Sequence, residues 1–449
     1  MKKVLLFSLL LVGGLILSQF IDRSPSAPTA LVVLDGALRL LTMIALAFIM
    51  IHVGYEFEID KKRPKQYVWD YVVAGTAAAF PWIFVTLYFV FVLAPPGLWS
   101  HLDLWRENLL AGRFAAPTSA GVLFSMLAAA GLAATWVFRK ARILAIFDDL
   151  DTILLMIPLK IMMVGMRWQL AIIIAVIIVL LWMAWKYLHL LRWPITWPWV
   201  LTYSAGIAIA SELIYRASKL VDAQVPIHLE VLLPAFVLGC MLARPVGHDP
   251  PRDDAREGHQ EGPESASEQR VSTIISACFM VLVGLSMPSI APQPPKFAAA
   301  DVAIMPAAID APSVEGSVLT WDGADPALVA QKNAMPGWGM IALHVLAVTV
   351  LSNLGKMFPL FCYRREVDWR QRLAVAVGMF PRGEVGAGVL VVSISYGLGG
   401  PALTVAVLSL ALNLLLTGVF ILIVKKLIAA SAAASQARPS PAPAVSYSA

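Results

Sequence analysis

Three aspartates stand close together in the apolar segment "RILAIFDDLDTILLMIPLK", at positions 148, 149 and 151. Ionisable residues are costly inside a membrane helix, so they indicate a functional site by default. Adjacent residues on a helix point about 100° apart, so Asp148 and Asp149 face different surroundings. Asp148 and Asp151 share one face, three residues apart. One carboxylate can therefore pair with a fixed cation while another faces a water-filled path.

Burial disfavours the charged form of a carboxylate that has no counter-ion. Such a group holds either a proton or a hard cation such as Na⁺, and hard cations prefer oxygen ligands. Hydroxyls near the aspartates, together with carbonyls of irregular backbone, are candidates to complete the shell. These hydroxyls belong to Thr118, Ser119 and Thr152. Competition of the two ions for one carboxylate, in a site open to one side at a time, is sufficient for antiport.

The depth of each charge in its helix predicts a partner for Asp148. Asp148 lies six residues from Arg142, at the cytoplasmic end of its helix, and Lys356 lies eight residues from Arg364. At 1.5 Å per residue these depths are about 9 and about 12 Å. We therefore expect Lys356 to pair with Asp148.

Three other basic residues lie inside apolar segments. Arg382 and Glu384, in "PRGEV", are expected to compensate one another or to bind the exposed ends of half-helices. Lys160 is a second possible counter-charge or reaches the outer interface, and Arg39 lies within reach of an interface. All these charges have an alternative interpretation as purely structural pairs.

The composition excludes a soluble globular domain. Of 449 residues 59% are hydrophobic and 14% are charged, with a mean hydropathy of +0.76, whereas soluble domains are about 25% charged. The three cysteines have no metal-ligand spacing, and neither a disulfide framework nor a cofactor is expected. The sequence predicts an all-α polytopic membrane protein whose surroundings are the lipid bilayer, with no nucleic-acid partner.

Apolar runs of about 18 or more residues predict membrane-spanning helices. The sequence contains twelve, at residues 3–20, 32–56, 68–94, 116–137, 141–164, 168–187, 194–215, 226–243, 270–289, 337–358, 373–397 and 402–424. The first also resembles a signal peptide, but it has no clear cleavage site and is expected to remain as a helix.

Orientation follows from the positions of Lys and Arg. With a cytoplasmic N-terminus, the inner segments hold 22 of these residues and the outer segments hold 8. The excess on one side predicts cytoplasmic N- and C-termini. A bacterial inner membrane is the expected location.

Two segments predict interrupted membrane helices. In "APTSAGVLFSM", from Ala116, and "FPRGEVGAGVLVVS", from Phe380, a proline and small or polar residues precede an apolar half-helix. Proline removes a backbone donor and disfavours helix in the residue before it. Each segment is the middle of three helices, 68–164 and 337–424, and the two triplets start on opposite sides. Inverted repeats with interrupted helices at corresponding positions indicate a transporter's binding site.

These residues carry a resemblance to a known family. "GMFPRGEVGAGVL" resembles the Pro-Arg-Gly-Glu segment of the monovalent cation:proton antiporters, in the branch that includes Kef-type systems and bacterial sodium/proton antiporters. "FDDLDTI" resembles its paired-acid segment, "LAFIMIHVGYEFEIDKKR" its "FLxGLExD" helix end, and "FMVLVGLSM" its ninth-helix motif. The resemblance covers nearly the whole chain.

The resemblance implies a core domain of two inverted triplets with crossed discontinuous helices, moving against a dimerisation domain in a homodimer. Asp149 would bind Na⁺ and protons, and Asp148, bonded to Lys356, would be its partner. In the sodium/proton branch an Asp-Asp pair with this lysine accompanies electrogenic exchange of two protons for one sodium, with a role in pH homeostasis. Kef-type members tend to carry Gln-Asp instead.

The expected division of the chain combines the spans with this resemblance. Residues 66–165 and 337–426 form the core repeats, and residues 1–65, 166–244 and 270–289 form the scaffold. The connections are a cytoplasmic linker at 245–269, an external loop at 290–336 and a disordered cytoplasmic tail at 427–449. Three features depart from the family: Asp151 as a third acid, twelve helices where relatives often have thirteen, and the long external loop.

Rival functions also fit parts of the pattern. A potassium/proton antiporter, a channel or a non-transporting sensor would use the same fold. An intramembrane aspartyl protease needs carboxylates on two facing helices, whereas these lie on one, and the Gly-x-Gly-Asp sequence of such proteases is missing from the chain. We therefore expect a secondary transporter and not an enzyme.

Overall fold

The structure is a computed structural model that describes residues 2–20, 29–55, 64–164, 168–221, 231–243, 266–285, 321, 324–395 and 398–436. These residues form an all-helical fold, which confirms the predicted class. The helices are α1 Lys2–Ser18, α2 Thr29–Tyr55, α3 Pro64–Tyr88, α4 Leu102–Gly112, α5 Ala120–Ala129, α6 Trp136–Val164, α7 Trp168–Lys186, α8 Trp197–Val221, α9 Leu232–Met241, α10 Ala266–Leu285, α11 Pro326–Asn333, α12 Trp338–Gly355, α13 Trp369–Gly378, α14 Glu384–Ser395 and α15 Gly400–Gln436.

Four helical stretches of the described chain are long and apolar enough to cross a membrane, by length and composition. They are Gly36–Tyr55, Lys65–Leu93, Trp338–Phe361 and Gly400–Ala434. Most of the other predicted spans are shorter or interrupted, while the long helices α6 and α8 contain seven and three charged residues. The count of twelve spans therefore stays a prediction.

The first interrupted helix lies earlier in the chain than expected. Instead of a span at 116–137, α4 leads through a single 3₁₀ turn at Arg113–Ala115 and extended residues into α5, which ends at Ala129. Hydropathy misses α4 because the helix carries the partly buried charges Asp103 and Arg106, while Leu104 and Leu110 are buried. The second interrupted helix has the same plan, since α13 and α14 flank an irregular stretch at 379–383.

Two groups of helices emerge from the packing. In the first group α1 packs on α10, and α2 packs on α8, α9 and α10. The second group surrounds the interrupted helices and consists of α3, α6, α12, α13 and α15. Glycines bring the first group into backbone contact, because a Cβ at Gly14 or Gly54 would overlap a carbonyl oxygen of the facing helix. Such small-residue contacts are typical of helix pairs in membranes.

The C-terminal helix extends further than the sequence predicts. Instead of becoming disordered at 427, α15 continues to Gln436. Its last turns are alanine-rich, a composition that favours helix. Ser431 is buried there and donates a hydrogen bond to the Asp368 carboxylate, which caps α13. The linker at 245–265, most of the external loop and the tail from 437 lie outside the described residues.

Candidate functional site

The irregular stretches of the two interrupted helices meet each other inside the second group of helices. The backbone N–H of Ser119 donates to the carbonyl of Pro381 at 2.9 Å, and the Thr118 hydroxyl donates to the carbonyl of Met379 at 3.0 Å. Thr118 and Ser119 are buried. Irregular backbone at membrane depth is tolerated where it is buried in protein or lines a cavity. Here the first break supplies hydrogen-bond donors to main-chain carbonyls of the second.

Asp148 and Lys356 form a buried ion pair at these breaks. The Lys356 Nζ lies 2.8 Å from Asp148 Oδ2, and both side chains are fully buried. The same oxygen accepts the backbone N–H of Thr118 at 2.7 Å. The pairing is the one expected from the depths of the two charges, and it joins α6, the first break and the end of α12.

The C-terminal end of α12 places Lys356 at this depth. The helix ends at Gly355, and Lys356 is its C-cap residue. A side chain at Gly355 would overlap the backbone of Pro81 in α3. The close approach of α12 to α3 therefore requires glycine beside the lysine.

Asp149 and the predicted hydroxyl ligands belong to the elements that carry Asp148 and its backbone donor, which are α6 and the first break. Asp149 is buried on α6 and interacts electrostatically with Lys356. Thr152 donates its hydroxyl to the Asp148 carbonyl at 2.8 Å, and the Ser119 hydroxyl caps α5 by accepting from the Val122 N–H at 3.3 Å. A hydroxyl oxygen has two acceptor lone pairs, so these groups keep the capacity to contact a cation.

Arg382 stabilises the exposed carbonyls near the breaks. Its fully buried guanidinium donates to the carbonyls of Ala115 at 2.9 Å and Ser352 at 3.0 Å, and to the Asn353 side chain at 2.8 Å. This geometry is the second of the two expected arrangements, in which the arginine binds half-helix ends. The side chain of Glu384, its other expected partner, lies outside what the structure describes, as does that of Lys160.

Arg113 is the residue that the sequence argument missed. The topology count assigns it to an external loop, but the structure buries it fully. Its Nη2 donates to the Asp151 carbonyl at 3.1 Å, and its Cζ lies 4.8 Å from the centre of the Trp82 ring. The clue available in the sequence was its place four residues before Pro117 in an apolar stretch, on the N-terminal side of the first break.

Asp151, the third acid, occupies a space beside α3. Its carboxylate lies next to Gly75 and Tyr71. A Cβ at Gly75 would lie 2.8 Å from Asp151 Oδ2, so glycine provides the room. Glycine inside a helix is unfavourable by about 1 kcal/mol relative to alanine. The nearby carboxylate explains why glycine nevertheless occupies position 75.

A polar cluster ties the two core triplets together near the cytoplasmic end predicted for α6. The Lys140 Nζ lies 3.1 Å from Asp70 Oδ1 and 3.5 Å from a Glu366 oxygen, and the Tyr363 hydroxyl donates to Asp70 at 2.7 Å. Burial, followed by the charge of Asp70, raises the pKa of Tyr363. The hydroxyl therefore stays a hydrogen-bond donor throughout the physiological pH range.

At the opposite end, α11 of the predicted external loop is held by an ion pair to the core. The Lys332 Nζ contacts the buried Glu107 carboxylate of α4 at 2.6 Å and lies 4.8 Å from the centre of the Trp321 ring. The described part of this loop is thus anchored on the first interrupted helix.

No protein-family model matches the sequence, and no curated protein matches it. Among solved structures, the sodium proton antiporter MjNhaP1 from Methanocaldococcus jannaschii, determined at pH 8, is similar to the chain with a TM-score of 0.51 and 13% identity. The match covers 92% of this chain and 91% of that one. The chain therefore has the fold of a sodium/proton antiporter and is a multi-pass membrane protein.

Proposed function

We propose that this protein is a secondary-active antiporter that exchanges a monovalent cation, Na⁺ in the first instance, for protons. The observation that carries the proposal is the buried Asp148–Lys356 pair at the crossing of two interrupted helices, with Asp149 beside it. The structural similarity to a sodium proton antiporter supports the proposal of cation/proton exchange. Transport, and not enzymatic chemistry, is what this fold and these residues support.

Asp149 is the proposed exchanging carboxylate. It is buried on α6 next to a pair whose acid is already compensated, so the charge of Asp148 is balanced whether Asp149 holds a proton or a cation. The hydroxyls of Thr118 and Ser119, at the first break, and of Thr152, on α6, would supply further oxygen ligands. A hard monovalent cation is suited to such ligands.

Alternating access would come from movement of the core helices against the scaffold helices. The Lys140–Asp70 pair joins two core helices and would keep the core rigid during that movement, while the Lys332–Glu107 pair ties the external loop to the core. Two finer properties rest on the family resemblance, namely two protons per Na⁺ and a homodimer. Cytoplasmic termini rest on the distribution of Lys and Arg, and a bacterial inner membrane is the proposed location.

The test uses proteoliposomes that hold a pH gradient. Na⁺, K⁺ or Li⁺ is added outside, and dequenching of a pH dye is followed with and without a valinomycin clamp. We expect Na⁺ to dissipate the gradient and Asp149→Asn to abolish the response. The matched control is Asp103→Asn, a partly buried acid at the start of α4 that pairs with Arg106, which should retain exchange.

Each alternative has its own outcome in this assay. A response to K⁺ alone identifies a potassium/proton antiporter, and dependence on the clamp shows that the exchange moves charge. Retained exchange in Asp149→Asn contradicts the site assignment. If no cation dissipates the gradient and the protein is folded and inserted, the antiport proposal fails and a channel or sensor takes its place.

A further inference from the structure

We infer that Arg113 is the fixed counter-charge of Asp151, and that this second acid–base pair sets the affinity of the ion site without carrying an ion itself. The inference deepens the proposed function and rests on it. Neither the sequence argument nor the structural neighbour's description assigns a role to this arginine.

The first step concerns the contacts of Arg113. The guanidinium of Arg113 is fully buried. Such a group carries five N–H donors and keeps its charge. In the described part of the chain it has one carbonyl partner and the face of Trp82, while its Nε and Nη1 atoms make no hydrogen bond. The Trp82 ring is itself fixed, because its Nε1 donates to the Leu109 carbonyl at 2.8 Å. Arg113 is thus held rigidly, with unused donors.

The second step identifies the anion that balances this charge. Among the carboxylates that the structure describes, those of Asp148 and Asp151 act electrostatically on Arg113. Asp148 already has Lys356 at 2.8 Å. Asp151 has an oxygen, Oδ2, that makes no hydrogen bond with any described residue. Buried charges that persist in proteins are paired, so Asp151 is the acid that Arg113 compensates.

The third step is the shape of the Asp151 pocket. Gly75 leaves room for the carboxylate on α3, and Tyr71 lies beside it. Arg113 approaches the same residue from the first break. Elements on both sides of Asp151 are therefore adapted to a buried carboxylate, which accounts for an acid at a position where the resembled family usually has an apolar or small residue.

The consequence concerns charge at the ion site. With Lys356 assigned to Asp148 and Arg113 to Asp151, the two pairs add no net charge around Asp149. Removing Arg113 alone makes the site more negative and should strengthen cation binding, whereas removing the Asp151 charge alone should weaken it. These opposite signs follow from Coulomb's law and are not expected from a merely structural role.

The experiment is a double-mutant cycle on the full chain with Arg113→Gln, Asp151→Asn and the double variant. The control is Arg106→Gln, a partly exposed arginine of α4 that pairs with Asp103. The KM for Na⁺ is measured in proteoliposomes at alkaline pH, where protons compete least. We expect KM to fall about fivefold in Arg113→Gln, to rise about fivefold in Asp151→Asn, and to return near the parent value in the double variant.

The melting temperature of the same purified variants in detergent gives a readout that does not need transport. Each single change leaves a buried charge uncompensated and should lower the melting temperature, and the double variant should melt above both. Additive losses of melting temperature in the double variant, or a KM raised in both single variants, would overturn the pairing. If the parent protein does not exchange ions, the antiport proposal fails, and the melting cycle still decides the pair.

Discussion

Replacing Lys356 with methionine should destabilise the protein unless Asp148 is neutralised at the same time. The lysine is fully buried, and its ammonium contacts a carboxylate oxygen that also accepts one backbone N–H. Methionine has a similar length and no charge. The single change therefore leaves Asp148 as a buried anion with a single backbone donor at Oδ2.

The expected size follows from this burial. Removing one partner of a buried ion pair costs about 3–5 kcal/mol, because the other charge is left uncompensated. An exposed pair in the same chain provides the contrast: Arg216 and Glu212 lie one turn apart on α8, with the arginine side chain 70% exposed. Breaking such a pair costs about 0.3–0.5 kcal/mol, so Lys356→Met should exceed Arg216→Met by several-fold.

The assay is thermal or denaturant unfolding of the purified variants in one detergent, with Lys356→Met, Asp148→Asn and the double variant compared. Replacing both members of a buried pair by neutral groups is often neutral or stabilising, so the double variant should be more stable than either single variant. A stability of Lys356→Met equal to that of Arg216→Met, or additive losses in the double variant, would refute the argument that this pair is held by mutual compensation.

Two further changes test the surroundings of the site. Gly75→Ala places a Cβ 2.8 Å from Asp151 Oδ2 and should reduce exchange by displacing the carboxylate. The control is Gly206→Ala in α8, where a Cβ meets nothing within 4 Å and exchange should be unchanged. Equal activities of the two variants would show that Asp151 tolerates the displacement. Tyr363→Phe removes the donor to Asp70 and should cost about 1–3 kcal/mol of stability. Burial raises the pKa of Tyr363 above its unfolded value. The stabilisation by this hydroxyl is therefore fully present below about pH 10 and is lost only above it. Thermal unfolding at pH 7 and at pH 9 should show the same loss of stability in Tyr363→Phe.

The sequence predicted the site where charge and proline interrupt an apolar pattern. The Asp148–Lys356 contact was predicted by counting residues to the cytoplasmic ends of two helices at a constant helix rise. The pair is present, but α12 ends at Gly355, so the count from Lys356 to Arg364 does not run along one helix. The interruption at Pro381 follows from proline's missing donor, a local effect that the surrounding fold changes little.

The same reasoning failed where a polar half-helix turns inward. The stretch "HLDLWRENLLAGRF" contains charges, so hydropathy assigns it to a loop, yet α4 and Arg113 are buried in the core. The burial of Glu107 depends on Lys332, more than two hundred residues away. Contacts of that kind are set by tertiary packing and leave no local pattern in the sequence.

The arrangement also explains why arginine follows Pro381. A break exposes main-chain carbonyls inside the membrane, where each unsatisfied polar group costs several kcal/mol. Arg382 donates to three acceptors that lie in different directions: the carbonyls of Ala115 and Ser352 and the side chain of Asn353. The planar fork of a guanidinium can reach all three together, whereas the single ammonium of a lysine could not. Arg382 uses its donors on these neutral acceptors, whereas Lys356 contacts the carboxylate of Asp148. With Asp148 compensated by the lysine, the proposed exchange uses Asp149 as the carboxylate that holds either ion, because a proton and Na⁺ neutralise it equally.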